Sequence, residues 1–214
     1  MIVLDVKPGS QEWRDARLGI PSASRFDCIM TAKTRKLSGQ ARKYMCALLA
    51  ERMLGHAVEE LGSGFILRGT ILEADAVAAY EFERGLDVKE VGFILRDDRR
   101  AGCSPDRLVD DDGLLEIKCP SAIVHVGALL GMADEDHISQ CQGQLWVTGR
   151  AWVDLMFYNP DLPHAIIRIP RDDGYIAALG ACVNAFCDRL DDAHEWLRKV
   201  RGPGHTRFGQ PILK

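Results

Sequence analysis

The chain has no Cys-x-x-Cys pair, no long apolar run, no basic excess and no internal repeat. Each absence closes off a class. The seven Cys, at 28, 46, 103, 119, 141, 182 and 187, are spaced for neither a zinc site nor an iron–sulfur cluster. They are odd in number and sit mostly in apolar contexts, so they read as reduced, buried small hydrophobes of a reducing compartment. No stretch approaches the roughly 18 apolar residues that span a bilayer, so no membrane role is expected. The opening MIVLDVKPGSQEW lacks a basic segment followed by a long apolar core, which excludes a signal peptide and makes cytoplasmic residence the expectation. A formal charge of −4 excludes a uniformly basic surface that would coat nucleic acid. It leaves room for a local basic groove, because the field depends on how charge is distributed.

What is present is an ordinary globular composition, 47% hydrophobic and 27% charged over 214 residues. The length suits one domain over residues 1–200, followed by a basic, Gly/Pro-punctuated tail at 201–214. Gln11 to Leu18 reads as a short helix. Ser22 or Ser24 is placed to cap a second helix, SRFDCIM, and Ser38 to cap a long one through Leu54. A further helix is expected from about Leu67 to Glu83, stopped by Gly85. VKEVGFILRD, AGCSPDRLV and LLEIKCP read as strands, the last two joined by the hairpin turn DDDG. Helices follow from Pro120 to about Met132 and from a cap at Asp134 to a stop at Gly149. AWVDLMFYN and HAIIRIPR are strands, and a helix from about Asp173 to Val200 closes the chain. The fold class is α/β, a mixed central sheet flanked by helices.

The stretch CSPDRLVDDDGLLEIKCP, residues 103–120, carries the chemistry. Side chains alternate faces along a strand, so Glu116 and Lys118 share one face and Leu115 and Ile117 take the other. The hairpin can bring Asp106 opposite the Glu116 face. Two carboxylates so placed repel unless a proton or cation lies between them. Mg²⁺, a hard ion taking one or two carboxylates plus waters and substrate phosphate, is the natural occupant. A neighbouring lysine then serves the water or the phosphate, and the set becomes a phosphodiester-hydrolysing centre. An isolated Glu-x-Lys is more often a solvated pair on an exposed hairpin face. Pro-Asp ten residues ahead of Glu-x-Lys, on adjacent strands, is the more specific arrangement.

Pro105-Asp106 followed by Glu116-Ile117-Lys118 resembles the PD-(D/E)xK nuclease superfamily, whose core is restriction-endonuclease-like. More narrowly, four blocks resemble the lambda-exonuclease/YqaJ-like viral recombinase family: EWRDARLGIPSAS (12–24), RGTILEADAVAAYE (68–81), AGCSPDRLVDDDGLLEIKCP (101–120) and HISQCQGQLWVTGRAWVDLMFYNP (137–160). The resemblance implies Mg²⁺-dependent 5′→3′ degradation of one strand of linear double-stranded DNA, with Mn²⁺ as a possible substitute. It also implies a homotrimeric ring, a single-strand annealing partner, and a phage or prophage protein in a bacterial host. By the same resemblance Asp106, Glu116 and the Ile117 carbonyl hold the metal, Lys118 serves the attacking water, and Glu73 supports that metal or a second one. Arg17 and Ser24, with Ser22, match positions for a 5′-terminal phosphate, a role suited to a guanidinium fork and a hydroxyl near a helix start. Gln140 and Gln142 match helical glutamines near the site. They point about 200° apart on a helix of about 3.6 residues per turn, so Gln140 is taken as the one that faces the cleft.

Each residue also has a plainer reading. Glu73 is favourable in the first turns of any helix, Gln140 could face solvent, Arg17 could pair with a surface acid, and Ser24 could only cap. The basic stretch with Lys33, Arg35, Lys36, Arg42 and Lys43 is a candidate DNA contact or simply a solvated loop. Two other functions stay open at this point, an endonuclease of the same superfamily and a catalytically silent DNA-binding module.

Overall fold

The computed structural model describes residues 1–58, 63–132 and 137–199, with the side chains of 63–71 left aside. The expected tail at 201–214, the Asp134 cap and the end of the last helix at Val200 lie outside the described residues. The elements run β1 (Ile2–Leu4), α1 (Gln11–Arg17), a 3₁₀ helix (Ala23–Cys28), α2 (Ala41–Leu54), α3 (Ser63–Arg84), β2 (Val88–Glu90), β3 (Phe93–Leu95), β4 (Gly102–Cys103), β5 (Arg107–Val109), β6 (Gly113–Lys118), α4 (Ala122–Leu129), α5 (Ile138–Thr148), β7 (Trp152–Phe157), β8 (Ala165–Pro170) and α6 (Asp173–Lys199).

The strands form two sheets. The larger has the order β2-β5-β6-β7-β8, with β6 and β7 parallel and the other neighbours antiparallel. A parallel pair needs a crossover, and α4 with α5 supplies it. The smaller sheet, β1-β3-β4, is antiparallel. The mixed sheet flanked by helices is the architecture read from the sequence.

Strand alternation decides the two faces of the large sheet. Leu114, Val153, Leu155 and Phe157 pack under Cys141 and Leu145 of α5. Leu115, Ile117 and Met156 pack on the other face, against Ala76 and Tyr80 of α3. Below Tyr80 lies Asp154 of β7, fully buried; Tyr80 donates to it at 2.9 Å and Arg168 grips it with two nitrogens at 2.8 and 2.9 Å. A third core joins the 3₁₀ helix, α2 and the apolar stripe of α6 (Leu179, Val183, Phe186, Leu190). Their spacing of three to four residues is the helical stripe of a one-sided helix.

Several expected elements differ. VKEVGFILRD is two strands in different sheets, β2 and β3. Gly92 stands at the break, where a Cβ would lie 2.3 Å from the Val6 carbonyl oxygen. AGCSPDRLV likewise divides into β4 and β5 around Ser104-Pro105-Asp106, since Pro105 has no N–H to give a ladder. The segment after Ser22 is a 3₁₀ helix rather than an α-helix. Ser22 occupies its N-cap position without a capping bond, its Oγ meeting the Ser24 Oγ at 3.2 Å. Ser38 sits one turn ahead of α2, whose N-cap is Gln40; the Ser38 carbonyl accepts from Ala41 N at 3.1 Å. Strand β1 has no counterpart in the sequence reading. Gly85 and Gly149 close α3 and α5 with φ of 63° and 75°, as their positions predict.

Candidate active site

The break between β4 and β5 is where the chain passes from the small sheet to the large one, and the candidate groups gather there. The Asp106 N–H donates to the Leu115 carbonyl at 3.1 Å, which sets Asp106 beside β6. Its Oδ2 accepts from the Ile117 N–H at 2.6 Å. Glu116 projects to the α5 side and is 4% exposed. Its Oε1 accepts from Lys118 Nζ and from Gln140 Nε2, both at 2.6 Å, and Lys118 also donates to Gln140 Oε1 at 3.0 Å. Asp106, Glu116, Lys118 and Gln140 therefore meet in one cleft. Gln142 points away, to the Pro170 carbonyl and the Asp172 N–H.

The charges in the cleft are unequal. Burial, then repulsion from Glu116, pushes the Asp106 carboxyl well above the ordinary range, against the hydrogen bond from Ile117. Burial opposes the charge on Lys118, yet Glu116 and Asp106 together hold its ammonium above the usual lysine range. Lys118 is thus a charged donor here. Glu73 comes from α3, its Oε1 gripped at 2.8 Å by Arg107 Nη1, which also donates to the Asp106 carbonyl.

Among the described residues no group of three or more His, Cys, Asp or Glu is arranged to hold a metal. Glu73 turns to Arg107 and Glu116 to Lys118. The donor set nonetheless suits a hard divalent cation. It offers the carboxylates of Asp106 and Glu116, which repel each other even beside the Lys118 ammonium.

Beside the carboxylates lies a pocket of about 190 Å³. Trp13, Arg17, Ser22, Ser24, Arg25 and Tyr44 are among its walls. Arg17 lies 4.0 Å over the Trp13 ring, and Arg17 Nη1 and Trp13 Nε1 donate to Ser104 Oγ at 3.2 and 3.1 Å. Arg17 makes no ion pair among the described residues. The Tyr44 hydroxyl, pushed up to about 12 by burial, accepts from the Ser22 N–H at 3.1 Å. Ser24 is exposed at the rim. Gly143 sets the two sites side by side: a Cβ there would lie 2.5 Å from the Phe26 ring, so only glycine lets α5 approach the 3₁₀ helix this closely.

Sequence reasoning passed over three residues. Ser104 joins the pocket to the carboxylates. Arg25 lines the pocket with its guanidinium 5.2 Å over Tyr44. Gln144 donates to Glu116 Oε2 at 2.5 Å. Gln144 was accessible in principle, one helical turn beyond Gln140. In the basic stretch, Arg35 is tied to Asp172 at 3.3 Å and to the Tyr175 ring.

The family model for the YqaJ-like viral recombinase domain matches residues 12–151. The chain belongs to the YqaJ-like viral recombinase family. Among solved structures, this YqaJ-like chain is similar to the alkaline exonuclease LHK-Exo of Laribacter hongkongensis. The identity is 36%, the TM-score 0.80, and the match covers 89% of this chain and 97% of that one. A second LHK-Exo structure, in complex with dAMP, matches at 38% identity, TM-score 0.80 and the same coverage. A phage-related exonuclease from Haemophilus somnus 129PT shares the fold at 18% identity and TM-score 0.66, over 83% of this chain and 96% of that one. No curated protein matches. Together these findings support a nuclease of the phage-exonuclease type. Among the described residues, no helix of this YqaJ-like protein is long and apolar enough to cross a membrane.

Proposed function

We propose that the protein is a divalent-metal-dependent exonuclease that degrades one strand of linear double-stranded DNA from its 5′ end, leaving 3′ overhangs for phage-type recombination. The observation that carries the reading is the half-buried Asp106 and the buried Glu116 in one cleft with Lys118, next to a pocket whose Arg17 makes no ion pair among the described residues. The dAMP held by LHK-Exo fits a site that takes a deoxynucleoside monophosphate.

Asp106, Glu116 and the Ile117 carbonyl would hold Mg²⁺, or Mn²⁺ in its place, with Glu73 in support once released from Arg107. A cation there supplies Lewis-acid stabilisation of charge developing on the phosphate and the leaving 3′-oxygen. Lys118 serves the attacking water, its ammonium aimed by Glu116 and Gln140. Arg17 with Ser22, Ser24 and Ser104 grips the 5′-terminal phosphate, since a guanidinium and hydroxyl donors match its oxygens. That grip sets which end of the duplex enters. A homotrimer and a single-strand annealing partner complete the reading.

The test uses linear duplex DNA labelled at one 5′ end, in Mg²⁺ or EDTA, with Lys118→Ala alongside. Mg²⁺-dependent release of 5′ mononucleotides is expected, with a loss of about 100-fold or more in the variant. Cuts in covalently closed circles would refute an exonuclease. Absence of cleavage with every divalent metal would refute a nuclease.

A further inference from the structure

Glu116 is held by more than the residues that surround it in the cleft. A carboxylate has about four lone-pair positions. Lys118 and Gln140 fill the two on Oε1, and Gln144 fills one on Oε2. One lone pair of Oε2 is left. Without Gln144, the carboxylate would be pinned through Oε1 alone, and Oε2 could swing.

Gln144 is otherwise poorly used. It is 1% exposed, and its own Oε1 has no hydrogen-bond partner among the described residues. An unsatisfied buried acceptor is destabilising, so packing alone does not account for an amide here. Gln142, on the opposite face of α5, shows what a structural glutamine does in this helix: both its polar atoms are satisfied by backbone. The helix is braced at the Gln144 turn, where Thr148 Oγ1 donates to the Gln144 carbonyl at 2.8 Å.

We propose that Gln144 is a positioning residue for Glu116, holding the oxygen that carries the free lone pair, and thereby sets the affinity of the cleft for a divalent cation. The inference rests on the metal-dependent reading above. It also explains why that lone pair is oriented at all in a cleft whose other donors all crowd Oε1.

The test is Mn²⁺ binding to the full chain by calorimetry, without DNA, for wild type, Glu116→Gln, Gln144→Met and Gln144→Leu. The two Gln144 variants keep the volume and remove the amide, and either one that folds suffices. Expected are a Mn²⁺ affinity about 10–100-fold weaker than wild type, cleavage that recovers as Mn²⁺ is raised, and an unchanged KM for DNA. A Mn²⁺ affinity within twofold of wild type in a folded variant overturns the proposal. If Glu116→Gln abolishes binding while Gln144→Met does not, only this inference falls. If wild type binds no Mn²⁺, the metal-dependent reading falls with it.

Discussion

Replacing Arg17 by Ala separates a phosphate grip from a structural arginine. Arg17 is half-buried, stacked 4.0 Å over Trp13 and 5.6 Å from Phe93, and it donates one bond to Ser104 at 3.2 Å. Burial pulls its pKa down, but an arginine stays charged. Removing it gives up a cation–π contact of about 0.5–1 kcal/mol. At about 2–4 °C of Tm per kcal/mol for a chain of this size, the variant stays folded at 25 °C. What it loses on substrate is larger. Hydrogen bonds between charged partners contribute about 1.5–3 kcal/mol, which at about 1.4 kcal/mol per tenfold is roughly 10–150-fold. The assay is kcat/KM on duplexes that differ only in a 5′-phosphate or a 5′-hydroxyl. Arg17→Ala should lose that factor on the phosphorylated end and almost nothing on the hydroxyl end. Arg17→Lys should fall between, keeping the charge without the fork. An equal loss on both ends would refute the reasoning and leave Arg17 as packing.

Two further outcomes follow from the same geometry. Asp106→Asn keeps the acceptor for the Ile117 N–H and removes a half-buried carboxyl that repels Glu116; cleavage should vanish while the metal-free Tm rises by a few degrees, and a lower Tm by scanning fluorimetry would count against the repulsion. Among the thiols, exposed Cys46 should react first with a disulfide reagent. Burial pushes Cys187 up to about 12 and Cys103 and Cys141 also upward, so raising the pH from 7 to 9 should leave these three unreactive until the chain is denatured. Labelling followed by peptide mapping decides it.

What the sequence made legible is what depends on short-range periodicity. Period-two alternation put Glu116 and Lys118 on one face of β6 and Leu115 and Ile117 on the other. The angle per residue on α5 separated Gln140 from Gln142, and the same rule points to Gln144, which lies one turn on. What escaped depends on distant partners. An apolar run looks the same whether it is one strand or two, and only the close approach of Gly92 to Val6 divides VKEVGFILRD. Strand β1 owes its existence to β3, more than 85 residues away, through the pairing of Ile2 with Leu95. Ser104 is an unremarkable serine until Arg17 and Trp13 arrive from the first helix.

The break between β4 and β5 joins the two parts of the proposed site. Ser104 and Asp106 are two residues apart, so their Cα atoms lie within about 7 Å of each other. Through one, the chain holds Arg17 of the proposed phosphate pocket; through the other, it accepts the Ile117 N–H beside the Glu116 carboxylate. Pro105 between them fixes its own φ and restricts the backbone of Ser104. The grip on a strand's end and the carboxylates that would cut behind it are therefore joined by one short, stiff connection, and Gly143 presses the helix carrying Gln140 and Gln144 against the same region. If the proposed reading holds, a site so joined would measure its cut from the 5′ end through this short connection and the Arg17–Ser104 bond, and removing the end's phosphate should slow cleavage without moving the position of the cut.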